Sequence, residues 1–150
     1  MSDSMVALLG PTLEGQGGAS VDTQTLIGDD KYVGLYFSAH WCPPCRAFTP
    51  KLAEFYKKFK AKPEKKDQFE IVFISSDQDE AQCKEYFAEM PWLMLPFADR
   101  AKKGELGKKF GVSGIPTLII LKSTNGEIVN RQGREAVMVD PEGEDFPWTN

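Results

Sequence analysis

Trp41-Cys42-Pro43-Pro44-Cys45 lies between two segments of opposite character. The preceding residues, Val33 to Ala39, form a short run of β-forming apolar residues, which predicts a strand buried on both faces of a sheet. The following apolar residues recur at helical spacing: Phe48, Leu52, Phe55, Tyr56 and Phe59. The two prolines suit the first turn of a helix, where a missing N–H costs little. The cysteine pair is therefore predicted at a strand-to-helix junction.

The position of each cysteine at this junction predicts its chemistry. Cys42 is expected at the start of the helix, where backbone N–H groups and the helix dipole stabilise a thiolate. Such surroundings lower a cysteine pKa from about 8.5 to roughly 3.5–7.5. We therefore predict that Cys42 attacks a disulfide and that Cys45, one turn deeper, resolves the mixed disulfide. Trp41 is expected to offer a flat apolar surface to the substrate, beside Pro43.

A second element with a proline opens a later strand. In Gly114-Ile115-Pro116-Thr117, the proline is either cis or an ordinary turn proline, and the spacing alone leaves both open. If it lies beside the cysteine pair, the backbone of Ile115 is free to pair with an extended substrate. Ile115 and Pro116 are thus predicted to bind substrate. The apolar segment 90–97 is interpreted as core and loop packing.

The remaining patterns predict an α/β fold in one domain, 1–150. The mixed central sheet would carry helices on both faces, with residues 1–20 a loose extension or part of an N-terminal hairpin. The hairpin is expected within 10–30, and Asn125-Gly126 is a strong signal for a second one. Further expected elements are a strand from Phe69 to Ser75, a helix from near Asp79, a helix from Lys102 to Phe110, and strands from Thr117 to Leu121 and through Val129.

Composition excludes several classes of function. The formal net charge of −4 does not suit sequence-independent binding to a phosphate backbone, so no direct nucleic-acid partner is expected. No apolar run reaches the roughly 20 residues of a membrane span. The first nine residues do not resemble a signal peptide, which predicts a reducing compartment, the cytoplasm, with nuclear entry left open. Three cysteines and one histidine lack the paired spacing of a zinc site, so neither metal nor cofactor is expected.

The third cysteine, Cys83, shares a predicted helical stripe with Tyr86, Phe87 and Met90. We predict a buried free thiol and a monomeric protein. The alternative is a surface thiol that links two chains in a disulfide-bonded dimer.

Several stretches together resemble nucleoredoxins and tryparedoxins, within the thioredoxin superfamily. They are Tyr36 to Arg46 (YFSAHWCPPCR), Met90-Pro91-Trp92, Asp140 to Gly143 (DPEG) and Phe146-Pro147-Trp148. The resemblance runs from about residue 20 to the end. It implies a thioredoxin fold with a cis bond before Pro116.

The same resemblance implies a protein disulfide reductase that draws electrons from an upstream thiol reductant and acts on disulfide-containing client proteins, as a regulator of signalling or transcription proteins. Two positions depart from the patterns. Tyr36 stands where ordinary thioredoxins carry a buried aspartate, which makes Asp77 or Glu80 substitute candidates for the proton acceptor. Ser76-Asp77-Gln78 stands where tryparedoxins carry Trp-Asp-Glu.

Two rival functions remain at this point. A redox-switched binding module would use the dithiol to control a partner with little turnover. A thiol peroxidase would surround its reactive cysteine with threonine and arginine, but Arg46 and Thr49 lie on the wrong side of the cysteine pair for that pattern.

Overall fold

The computed structural model describes residues 4–148, so both ends of the expected domain 1–150 lie outside it. The helices are α1 (Ser4–Leu9), α2 (Pro43–Lys60), α3 (Glu80–Phe87), α4 (Arg100–Lys109) and α5 (Gly133–Val139). The strands are β1 (Thr12–Glu14), β2 (Ser20–Asp22), β3 (Tyr32–Ser38), β4 (Phe69–Ser75), β5 (Leu93–Met94), β6 (Thr117–Lys122) and β7 (Ile128–Asn130). Within this range, no helix is long and apolar enough to cross a membrane.

The strands form one mixed sheet in the order β2-β1-β5-β4-β3-β6-β7. At its centre, β3 is parallel to β4 and antiparallel to β6. The antiparallel pair β1–β2 confirms the expected N-terminal hairpin, and β6–β7 confirms the hairpin at Asn125-Gly126, where Gly126 has a φ of 73°. Because parallel strands point the same way, the C-terminal ends of β3 and β4 meet at one edge. The cysteine pair follows β3 at that edge.

Alternate side chains of the central strands point to opposite faces of the sheet, and each face has its own apolar core. Tyr36 and Phe73 face the core formed with α2, α3 and α5. Leu35 and Val72 face the core formed with α1 and α4. The α/β thioredoxin fold, with a mixed sheet and helices on both faces, is thereby confirmed.

Three elements were not predicted. The helix α1 has only six residues, too few to show a clear periodicity. The helix α5 begins with a glycine, a poor helix former, and β5 has two residues inside a segment bracketed by prolines. The segment 90–97, interpreted as core and loop, therefore also contributes an inner strand to the sheet.

The chain after α5 closes over the core beside α2. The Asp140 carboxylate accepts hydrogen bonds from the backbone N–H groups of Glu144 and Asp145, at 3.1 and 2.8 Å, and from the indole of Trp148 at 2.9 Å. Phe146 and Trp148 pack against aromatic rings of α2, with centroids 4.7 Å apart for Phe146 and Phe59. The Asp140-Pro-Glu-Gly stretch thus ties the C-terminal aromatics to the core.

Candidate active site

The two sulfurs occupy different places at the start of α2. Cys42 is the N-cap residue, and its Sγ accepts a hydrogen bond from the backbone N–H of Cys45 at 3.3 Å. Cys42 is 5% exposed, whereas Cys45 is fully buried. The two form a disulfide, with Cα atoms 5.2 Å apart. A backbone N–H that points at a cysteine sulfur stabilises the thiolate form of that cysteine.

The second element meets the first through Ile115. The Ile115–Pro116 peptide bond is cis, which confirms the expectation from the resemblance. The carbonyl oxygen of Ile115 lies 3.9 Å from Cys42 Sγ, and its half-buried side chain packs against Cys42 and Cys45. Two segments about 70 residues apart in the chain, Cys42–Cys45 and Ile115–Pro116, therefore share one site.

The surface around this site is partly apolar and open. Trp41 is 54% exposed, and its indole N–H donates to the carbonyl of Ser76 at 3.0 Å, which fixes the ring. Pro43 is exposed and Pro116 is buried. Trp92 does not belong to this surface, because it packs in the core against Tyr36 and Tyr56 and is 1% exposed.

A loop after β4 holds the two residues that precede Cys42. The buried carboxylate of Asp77 accepts the backbone N–H of His40 at 2.7 Å and the hydroxyl of Ser75 at 2.7 Å. Ser76, between them, accepts the Trp41 indole. From the sequence, Asp77 is a candidate only as a proton acceptor. The signal for its structural contact was a Ser-x-Asp pattern directly after a strand, which favours local side-chain-to-backbone hydrogen bonds.

The other proposed proton acceptor, Glu80, belongs to the surface. It stands in the first turn of α3, and its carboxylate lies 3.6 Å from the Lys84 ammonium in an exposed pair. No hydrogen bond joins it to the cysteines within the range that the structure describes.

A buried chain of hydroxyl groups stands where ordinary thioredoxins carry the aspartate. The Thr49 hydroxyl lies 2.6 Å from the Tyr36 hydroxyl and 2.5 Å from that of Tyr86, which also lies 2.8 Å from Ser38. Burial, followed by the neighbouring Tyr86, raises the pKa of Tyr36 well above its usual value. Tyr36 is therefore a neutral phenol at neutral pH and does not replace a carboxylate base. The sequence showed the substitution but not the network.

The histidine before Trp41 packs against the same group of hydroxyl-bearing residues. The His40 ring stacks on Tyr86 with centroids 5.3 Å apart and is half-buried. The stacking gives the His40 ring a packing role.

Cys83 lies in the core, as predicted. It is a free, fully buried thiol whose sulfur is 3.4 Å from that of Met94. Burial raises the pKa of this thiol, so it is protonated at neutral pH. Across residues 4–148, no group of three or more His, Cys, Asp and Glu side chains is placed to hold a metal ion.

Comparison with known proteins gives the family. Residues 29–128 match a family model described as thioredoxin-like. The chain is 50% identical to tryparedoxin from Trypanosoma brucei brucei, over 87% of this chain and 86% of that protein. It is 46% identical to mouse (Mus musculus) nucleoredoxin over 94% of this chain, but it spans only 31% of that longer protein.

Solved structures agree with these matches. A tryparedoxin from Trypanosoma brucei superposes with a TM-score of 0.87 at 47% identity, covering 97% of this chain and 98% of that one. A tryparedoxin II complexed with glutathionylspermidine gives 0.85 at 43% identity, covering 93% of each chain. The chain therefore belongs to the thioredoxin-like family and, within it, is similar to nucleoredoxins and tryparedoxins.

Proposed function

We propose that this protein reduces disulfides in other proteins, with Cys42 as the nucleophile and Cys45 as the resolving thiol. The observation that carries the proposal is the asymmetry of the pair. The Cys42 sulfur is held at the N-terminus of α2 by the Cys45 N–H, at the edge of an open surface, whereas Cys45 is fully buried. A substrate sulfur that approaches along this surface meets Cys42 first.

The reaction transfers two electrons in two exchanges. The Cys42 thiolate attacks one sulfur of the client disulfide, and the other client sulfur leaves as a thiolate that takes a proton. The Cys45 thiol then loses its proton and attacks Cys42 Sγ, which releases the second client thiol. The client is left reduced and the protein holds the Cys42–Cys45 disulfide, the form seen in the structure.

The surroundings of the site support docking of an extended client segment. Trp41 offers an exposed, hydrogen-bond-anchored ring, and the Ile115 backbone lies beside the reactive sulfur. Trp41, Pro43, Ile115 and Pro116 are the residues proposed to bind the client.

Regeneration requires an upstream thiol reductant. One relative, a tryparedoxin II, has been solved with glutathionylspermidine. Here, Ser76 and Gln78 replace the Trp and Glu of the tryparedoxin pattern, so we propose a reductase or dithiol donor of another kind. Action on signalling or transcription proteins, in the cytoplasm or the nucleus, belongs to the same proposal.

Reduction of insulin with a dithiol donor tests the proposal. We expect turnover by the parent and by Cys83→Ala, a matched control that removes a thiol outside the site, and none by Cys42→Ser. Stoichiometric oxidation without turnover would favour a redox-switched binding module. Faster consumption of hydrogen peroxide than of insulin would favour a peroxidase. The threonine nearest to the cysteine pair in the sequence, Thr49, has its hydroxyl engaged with Tyr36 and Tyr86.

A further inference from the structure

A groove of about 400 Å³ leads away from the redox site along α4. Trp41 and Ile115 line it at the site. Its far wall is the face of α4 that carries Lys103, Gly104, Gly107 and Lys108. Ile115 belongs both to this groove and to the surroundings of the reactive sulfur, since its carbonyl lies 3.9 Å from Cys42 Sγ. The groove is thus continuous with the place where a client disulfide must react.

The charge of this wall is opposite to that of the whole protein. The protein has a formal net charge of −4, yet the α4 sequence RAKKGELGKK contains five basic residues and one acidic residue. That acidic residue, Glu105, lies 3.9 Å from the ammonium of Lys102, which itself donates to the carbonyl of Ala7. Among the described residues that line the groove, two are lysines and none is acidic. The groove is therefore positively charged.

The glycines leave the wall of the groove uncovered. A Cβ atom built on Gly104 or Gly107 meets nothing within 4 Å, so neither glycine is required by close packing. Both lack the positive φ that favours glycine, and each lowers the stability of a helix. Their effect is to expose helix backbone between two lysines, which leaves room for another chain to lie close.

We propose that this α4 groove binds the client segment beside the reactive cysteine and selects clients that carry acidic residues there. The proposal rests on the proposed disulfide reductase function and adds the chemistry of the substrate. Lys103 and Lys108 are five residues apart, which places them roughly 140° apart around the helix axis, with Gly104 and Gly107 between them. A client segment that lies over the two glycines has one lysine on each side, so acidic residues near its cysteine are favoured there.

Charge-matched peptides test the proposal. Disulfide-containing peptides are prepared with Glu-Ser-Glu, Ser-Ser-Ser or Lys-Ser-Lys on either side of one cysteine, and each is mixed with the reduced protein in a single turnover. At low ionic strength we expect the acidic peptide to react about tenfold faster than the basic one. The ratio should approach one in roughly 1 M salt, where the screening length is about 3 Å.

Two double variants test whether the preference for acidic peptides arises at the α4 groove. Lys103→Glu with Lys108→Glu should reverse the order of the acidic and basic peptides. Lys57→Glu with Lys66→Glu alters net charge equally, at exposed residues near the end of α2 and before β4, and should keep the parental order. Reversal by this control as well would assign the selectivity to net charge and overturn the proposal.

A filled groove gives an independent test. Gly107→Leu adds a side chain at a helical position where a Cβ atom meets nothing within 4 Å, and leucine favours a helix more than glycine does. It should slow all three peptides severalfold more than it slows a small aromatic disulfide reagent, which does not extend along the groove. Equal rates for the acidic and basic peptides, or no effect of Gly107→Leu, would refute the groove while leaving the reductase function intact. If the parent reduces none of the peptides, the proposed function itself is wrong.

Discussion

Cys42 and Cys45 are three residues apart, but their sulfurs meet different surroundings. Cys42 receives a backbone N–H and lies against the Ile115 carbonyl, whereas Cys45 is fully buried. The helix N-terminus lowers the free energy of a thiolate, and burial without a partner raises it. The proposed division into attacking and resolving sulfur rests on this contrast.

Cys83 should behave as an inert thiol. Alkylation of the reduced protein near neutral pH should label Cys42 first and leave Cys83 unlabelled until denaturant is added, because burial raises the pKa of Cys83 and blocks access to it. Mass spectrometry of the digested protein measures the order. Labelling of native Cys83 as fast as Cys42, or a disulfide-linked dimer lost on Cys83→Ala, would contradict the buried position.

Asp77 should stabilise the approach to the reactive cysteine. Asp77→Ala leaves the His40 N–H without its acceptor, and we expect unfolding free energy to fall by about 1–3 kcal/mol. Asp77→Asn keeps one carbonyl oxygen for His40 and supplies an N–H to the Ser75 hydroxyl, so it should lose less. Urea unfolding compares the two variants. Equal losses for both would mean that the negative charge, rather than the hydrogen-bond geometry, stabilises the loop.

The reactive residues of the site could be predicted from the sequence more readily than the residues that hold them in place. The pattern Trp-Cys-Pro-Pro-Cys indicates the reactive pair because its chemistry depends on local sequence. The contact between Asp77 and His40 and the hydroxyl chain through Thr49 join residues from different elements. Their pairing depends on strand register, which a single sequence does not specify.

Among the helices and strands, those that could be predicted from the sequence have a strong apolar periodicity or a capping residue. The helix α3 follows Asp79, whose side chain accepts the Gln82 N–H at 2.8 Å, and it was expected near that residue. Elements such as α1 and β5 are short and depend on contacts with other elements of the fold. Their formation is a tertiary effect rather than a local one.

The glycines of α4 should be replaceable. Gly104→Ala and Gly107→Ala should each raise the free energy of unfolding by about 0.5–1 kcal/mol, because alanine favours the helix and no neighbour obstructs its methyl group. Gly133→Ala is the contrasting control, since its Cβ would lie 2.8 Å from the Leu118 carbonyl oxygen. Chemical denaturation should show gains for the first two and a loss for the third. A loss at Gly104 or Gly107 would show that α4 packs more closely than described.

At the scale of the whole molecule, the C-terminal segment links stability to pH through Asp140. Burial raises the pKa of this carboxyl, but hydrogen bonds from Asp145, Trp148 and Glu144 outweigh burial and hold it below its usual value. An unfolded aspartate has a pKa of about 3.9. The stabilisation is therefore present above that pH and is lost as the pH falls through the lower pKa of the folded state.

The variant Asp140→Asn should lower the melting temperature near neutral pH, and its difference from the parent should shrink as the solution is acidified. Asp145→Asn alters an exposed carboxylate in the same segment, where only the backbone makes the described contacts, and should differ little from the parent. Thermal unfolding followed across the acid range compares them. A constant difference at every pH would contradict a role for the Asp140 charge.

The order of attack by the two sulfurs is tested most directly by trapping the mixed disulfide. Cys45→Ser and Cys42→Ser are each mixed in reduced form with an oxidised protein substrate, quenched with acid and analysed by intact mass. We expect a covalent adduct through Cys42 in the Cys45→Ser variant and essentially none in Cys42→Ser. An adduct that forms faster through Cys45 would reverse the roles and contradict the mechanism.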